Sequence, residues 1–284
     1  MGTATASAPE PVTRARWYRD PMIWVEAFVL FNIAGLAADI SLAHSINSFA
    51  HWAEYVPLAF SLTAPPVLLV AILIGPMAGK MAAWRALGHI VGWMAIVIGI
   101  AGMVLHLQSG FFAHRTLASL VYAAPFAAPL AYTGLGLLLV LNRMVPAHTG
   151  EWPMWVLLLA LGGFIGNFVF SLTDHAQNGF FYPLEWIPVF SSALAVGFLT
   201  VLFVIRVPPA YLWWCAGMMG LQAAVGLVGA YLHVRADLRA PGPTWFDRIV
   251  FGAPIFAPLL FVDLVILALI GLWVLRRHMA AEHG

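Results

Sequence analysis

Two stretches of this chain carry the same spaced set of ligating and titratable residues. The first holds His44, Asn47, Phe49, Glu54 and Pro57; the second holds His175, Asn178, Phe180, Glu185 and Pro188. The internal spacing is identical, and an aromatic residue, Tyr55 or Trp186, follows each glutamate. A third histidine accompanies each set. His106 closes Gly99-Ile-Ala-Gly102-Met-Val-Leu105-His106, and His233 closes Gly226-Leu-Val-Gly229-Ala-Tyr-Leu232-His233. Neutral imidazole and carboxylate together are good ligands for iron, copper or zinc, and imidazoles on facing helices also hold haem. The expected metal ligands are therefore His44, Glu54 and His106 in one set and His175, Glu185 and His233 in the other.

The glycines add geometry. Residues three and four apart share one helix face, so Gly99, Gly102 and His106 lie together, as do Gly226, Gly229 and His233. A face of small residues admits either a second helix or a flat porphyrin with the imidazole at its rim. On the second reading Gly102 and Gly229 bind the cofactor, a haem in place of a single iron or copper ion. Two acids beside the histidines are candidates for catalysis. Asp39 falls inside an apolar run, where a carboxylate is a functional candidate by default, and Asp174 precedes His175 closely enough to orient its ring. Asp263, in the last apolar run, is a third intramembrane acid.

A purely structural account explains the same residue types. Glutamates at helix starts and histidines at helix ends are favoured by the helix dipole, the asparagines can end helices, and proline is tolerated in a first turn. It does not explain why a histidine ends a third segment in both sets. No HExxH, ExxH or HxxxH spacing is present.

The elements that must position these groups are membrane helices. Of the 284 residues, 62% are hydrophobic and 9% charged, with a mean hydropathy of +0.91. A water-soluble domain carries about a quarter charged residues, so this composition excludes one. A net charge of +1 offers no basic face to nucleic acid. The single cysteine, Cys215, lies in an apolar run, which excludes an internal disulfide and a cysteine-based metal cluster. The fold class expected is an all-α membrane protein with about eight transmembrane helices. The spans fall near 22–47, 53–78, 84–108, 118–143, 152–177, 184–206, 210–234 and 249–275. Aromatic residues near their ends fit interfacial belts. The first 16 residues are polar and rich in Pro, Ala and Thr, with no signal-peptide pattern.

The duplication runs through the whole chain. The histidine-glutamate stretches are offset by 131 residues, the Gly-x-x-Gly-x-x-x-His runs by 127, and Ala124-Pro125 through Pro129-Leu130 matches Ala253-Pro254 through Pro258-Leu259 at 129. Three matches in one order imply two four-helix repeats. An even helix number keeps both in one orientation, with a pseudo-two-fold axis along the membrane normal. The paired prolines, four apart, are expected to kink spans four and eight.

Lys and Arg divide nine to four between the two sides, which places both termini in the cytoplasm and the histidine sets at the outer, periplasm-like face of a bacterial-type inner membrane. The chain divides into a disordered cytoplasmic N-terminus at 1–20, a first repeat at 21–147, a second at 148–278 and a cytoplasmic tail at 279–284. The expected function is redox or oxygenase chemistry on a small or lipid-soluble substrate at a periplasmic metal or haem site. Its partners are the lipid bilayer and other membrane or periplasmic redox proteins. Two alternatives stand beside it: a proton-coupled transporter or channel using the His/Glu pairs, and a non-catalytic subunit or assembly factor of a membrane redox complex.

Overall fold

The computed structural model describes residues 19–122 and 124–282. Eleven α-helices make up the described chain. They are α1 (Pro21–Ser45), α2 (Tyr55–Ile74), α3 (Met81–Gln108), α4 (Phe111–His114), α5 (Leu117–Val121), α6 (Leu130–Met144), α7 (Glu151–Gln177), α8 (Trp186–Val204), α9 (Tyr211–Arg239), α10 (Trp245–Val250) and α11 (Leu259–Glu282). A single 3-10 turn precedes α2 at Trp52–Glu54 and α8 at Pro183–Glu185. No strand occurs among the described residues.

Seven of these helices, counting the 3-10 turns with α2 and α8, are long and apolar enough to cross a membrane. The protein is thus a multi-pass helical membrane protein. Large apolar side chains point outward along the helices, among them Phe31, Val97, Phe190 and Trp214. Lipid solvates such a surface, and apolar residues on every face of a helix are the mark of a membrane span.

The span expected over 118–143 is not one helix. It is the short α5, an irregular passage, and α6. The 15 residues of α6 extend about 22 Å, short of the roughly 30 Å of a hydrocarbon core. Nor is 249–275 continuous, because α10 ends at Val250 and α11 starts at Leu259. The prolines break these segments rather than kink them. Pro125, Pro129, Pro254 and Pro258 have no N–H to give, and turns bridge the gap through Ala128 N to Pro125 O at 3.1 Å and Ala257 N to Pro254 O at 3.3 Å. Each long helix resumes directly after the second proline, where a fixed φ favours a helix start. The expected disordered segment at 1–20 falls outside the described residues up to position 18; beyond it, Asp20 caps α1 by accepting from Met22 N at 2.9 Å. The expected tail at 279–284 is helical as far as Glu282.

At the centre α1, α6, α7 and α11 pack in a closed ring, each against the next. The layers outside it are α2 on α1, α3 on α6, α8 on α7, and α9 on α11. Close approach needs small residues. A methyl group on Gly99 would lie 2.8 Å from Pro129 O, and one on Gly226 would lie 2.8 Å from Pro258 O. One end of the ring is fastened by charge. Arg143 makes two hydrogen bonds to the Glu26 carboxylate, one of them Nη2 to Oε2 at 2.8 Å, and the guanidinium lies 3.6 Å over the Trp84 ring. Asn142 donates to Glu26 Oε1 at 2.7 Å and accepts from Trp152 Nε1 at 3.1 Å, which ties in α7.

Candidate functional site

His44 lies in the last turn of α1, and the chain reverses sharply after it. Phe49 N donates to His44 O at 3.0 Å and to Asn47 Oδ1 at 3.2 Å, with Ser48 and Phe49 in the left-handed region at φ 57° and 52°. The reversal carries the chain to Glu54 at the start of α2. Asn47 Nδ2 donates to Glu54 Oε1 at 2.8 Å, and the other carboxylate oxygen lies 3.5 Å from His44 Nδ1. Phe49 stacks on Tyr55 at 4.9 Å and tilts against the imidazole.

The second stretch folds the same way. Phe180 N donates to His175 O at 2.9 Å and Asn178 Oδ1 at 3.1 Å, with Gly179 and Phe180 at φ 71° and 52°. Glu185 Oε2 lies 3.7 Å from His175 Nδ1, and Phe180 stacks on Trp186 at 3.8 Å. The aromatic after each glutamate thus braces the turn.

The third histidine arrives from the far side. His106, near the end of α3, has its ring centroid 6.2 Å from that of His44, edge-on at 76°. His233, near the end of α9, lies within electrostatic reach of His175. Each donates Nδ1–H to the first proline of the break: His106 to Pro125 O and His233 to Pro254 O, both at 2.9 Å. A carbonyl only accepts, so the proton sits on Nδ1 and the lone pair on Nε2. The structure brings all three residues together in the first half; in the second it pairs His175 with Glu185 and holds His233 on Pro254 as His106 is held on Pro125.

Sequence reasoning missed the groups that hold these carbonyls in place. Ser109 Oγ accepts from Ala124 N at 3.0 Å, and Asp237 Oδ1 accepts from the corresponding Ala253 N at 2.7 Å. Different residue types do one job, so no repeated letter announces it.

Imidazole and carboxylate are donor types that a first-row metal ion accepts. Glu54 Oε2 and Glu185 Oε2 are buried with no hydrogen-bond partner. A buried carboxylate oxygen without a hydrogen bond is costly, and the nearest group to each of these is the imidazole of its ion pair. Separations of 3.5 and 3.7 Å from imidazole nitrogen are long for a hydrogen bond. They resemble the edge, about 3.3 Å, of a tetrahedron with bonds of about 2.0–2.1 Å. Among the described residues no group of three His, Cys, Asp or Glu side chains is placed to hold a metal ion, so the structure does not assemble the expected ligand sets into a site.

The remaining candidates lie elsewhere. Gly102 and Gly229 face Pro129 and Pro258, whose Cβ atoms would be 2.8 and 3.0 Å from an added methyl. Their face is filled by the start of α6 or α11, so of the two readings open to the glycines the geometry takes helix packing over a porphyrin. Asp174 lines a small cavity with Leu120, Val121, Pro125 and Phe126, turned to the α5 loop rather than to His175. Asp39 is half-buried on α1, in electrostatic reach of the Tyr132 hydroxyl. Asp263 Oδ1 accepts from Asn32 Nδ2 at 2.8 Å, which joins α1 to α11. His51 caps the 3-10 turn by accepting from Ala53 N at 3.2 Å. Compared with family models, with curated proteins and with solved structures, the chain gives no significant match.

Proposed function

We propose that this protein binds a redox-active metal ion, iron or copper, at one site in each half, and that it is a membrane-bound oxidoreductase acting on a small or lipid-soluble substrate. His44, Glu54 and His106 are the ligands of the first site; His175, Glu185 and His233 are those of the second. The observation that carries this reading is the orphaned oxygen of Glu54 and of Glu185, each buried beside an imidazole nitrogen in two separate places. A structural cap would be satisfied by backbone N–H groups. These oxygens are not. The fixed tautomers of His106 and His233 add to it, because metal-ligating histidines commonly donate their other N–H to a carbonyl.

On this reading the chain is two four-helix repeats at 21–147 and 148–278, related by a pseudo-two-fold axis along the membrane normal, with α5 and α6 together making the eighth crossing. Both termini are cytoplasmic in a bacterial-type inner membrane. The sites then open to the periplasmic face, within reach of periplasmic redox partners. The metal supplies the electron transfer or oxygen chemistry. The chain's own residues hold and orient it: Pro125 O and Pro254 O fix which histidine nitrogen is free, and the aromatic stacks at Phe49 and Phe180 keep the glutamate-bearing turns closed.

The test is elemental analysis and a visible absorption spectrum of protein purified from freshly isolated membranes. Two equivalents of iron or copper without a Soret band are expected. His44→Ala and His175→Ala should each lose one equivalent. A chain free of metal overturns the reading.

A proton-coupled transporter is the second reading, favoured by one specific observation. Asn32 and Asp263 hydrogen-bond between the neighbouring ring helices α1 and α11, and the buried Asn167 amide on α7 has no hydrogen-bond partner. Polar groups in a seam between repeats are what transport requires. Proton flux in proteoliposomes that Asp263→Asn abolishes, with metal content unchanged, would favour it.

A further inference from the structure

At the end of the bundle away from the histidine sets, both halves lay an arginine over a tryptophan. The guanidinium of Arg143, near the end of α6, lies 3.6 Å over the ring of Trp84 in the first turn of α3. The guanidinium of Arg276, in the last part of α11, lies 4.4 Å over the ring of Trp213 in the first turn of α9. A guanidinium on an aromatic ring has one face covered and its N–H edge left to hydrogen-bond.

The two edges are met differently. Arg143 turns inward, and the Glu26 carboxylate on α1 fills its edge. In the second half the duplication puts Leu157 in the place of Glu26 and Leu272 in the place of Arg143. Arg276 stands one helical turn beyond Leu272 and is exposed. Arg277 beside it is exposed as well, with its guanidinium 5.3 Å from the centre of the exposed Trp273 ring. Among the described residues neither guanidinium has a hydrogen bond or an ion pair. The described acids at this end of the second half are Glu151, at the start of α7, and Glu282. Neither pairs with an arginine, and Glu282 is five and six residues further along α11, off the spacings of three and four that bring side chains together. Two cations without a counter-charge are thus set on tryptophans at the surface of the bundle.

Tryptophan at the end of an apolar span sits at the level of the lipid headgroups, and a long arginine side chain reaches the same level. The anion found at that depth is the headgroup phosphate, which a guanidinium edge can grip through two parallel hydrogen bonds. Two adjacent cations favour a lipid of net negative charge over a zwitterionic one. We infer that Arg276 and Arg277, backed by Trp213 and Trp273, hold the headgroup phosphate of an anionic phospholipid, which does for Arg276 what Glu26 does for Arg143. The surface belongs to the second half alone, because the matching guanidinium of the first is closed by its own carboxylate. It lies at the opposite end of the molecule from the proposed metal sites and is independent of them.

The experiment titrates the full-length protein in detergent with phosphatidylglycerol or with phosphatidylcholine of the same acyl chains and counts bound lipid by native mass spectrometry. Wild type is expected to bind its first phosphatidylglycerol at least tenfold more tightly than phosphatidylcholine. Arg276→Gln combined with Arg277→Gln should bring phosphatidylglycerol down to the phosphatidylcholine level. Arg85→Gln, which removes an exposed cation at the same end of the first half, should leave the preference unchanged. Arg276→Lys with Arg277→Lys, which keeps the charge and loses the fork, should weaken phosphatidylglycerol at least threefold. Excess inorganic phosphate should not displace the bound lipid. Equal binding of the two lipids by wild type overturns the inference, as does a preference that survives the glutamine substitutions. An equal loss in Arg85→Gln overturns it in favour of diffuse charge, and displacement by inorganic phosphate overturns it in favour of a soluble anion. Should the glutamine variant fail to fold, wild-type affinity in the lysine variant overturns it.

Discussion

The carboxylate of Glu26 on α1 and the guanidinium of Arg143 at the end of α6 form a two-pronged ion pair that is completely closed off from solvent. Trp84 roofs the guanidinium, Asn142 bridges the pair to α7 through Trp152, and a methyl on Gly88 would overlap Arg143. At the positions that correspond in the sequence duplication, Leu157 and Leu272 are buried, and a methyl on Gly271 would meet Leu157. One half is fastened by charge and the other by apolar contact.

Removing one partner strands a buried charge. Glu26→Leu or Arg143→Leu alone should destabilise the protein by about 3–5 kcal/mol, while the double substitution, which copies the leucine arrangement, should recover most of that loss. Thermal unfolding in detergent measures all three. Additive losses in the double variant would show that the pair does not act as a unit.

The loops that orient His106 and His233 are held by different side chains, so they can be loosened separately. On the metal reading proposed above, Ser109→Ala is expected to weaken metal binding at the first site by about 10- to 100-fold and to leave the second unchanged, with Asp237→Ala doing the reverse. A competition titration resolving two affinities reads the outcome. Equal weakening of both sites by one substitution would contradict it.

Glycines that look alike in sequence should differ sharply. Gly99→Ala places a methyl against Thr133 N and Pro129 O, and Gly226→Ala against Pro258 O and α11 side chains; each should destabilise by about 1–3 kcal/mol. Gly35→Ala meets nothing within 4 Å and should be neutral or stabilising by up to about 1 kcal/mol. Melting temperatures of the three variants in one detergent provide the comparison.

Asn32→Leu leaves Asp263 without its donor in the seam between the halves. A loss of about 0.6–2 kcal/mol is expected, typical of one interhelical hydrogen bond in a membrane. Asn32→Leu combined with Asp263→Leu should lose less than Asn32→Leu alone, since no polar group is then stranded.

The class of this protein was legible from its letters, because apolar runs of more than 20 residues leave the backbone no structure in lipid but a helix. Part of the geometry of the candidate residues was legible as well. His44 with Glu54, and His175 with Glu185, are joined by a short turn, so their proximity is local and their spacing carries it. His106 could be expected beside His44 only by repetition, and the structure does bring them together across α3 and α1. Tertiary structure alone decided three things. The paired prolines break their segments because tightly packed turns take up the lost hydrogen bonds. The glycine faces of α3 and α9 are filled by helices, which depends on what lies opposite. Glu26 meets Arg143 across more than a hundred residues. A charged or polar group in a membrane must find its partner wherever the fold brings one, and sequence spacing holds no record of that distance.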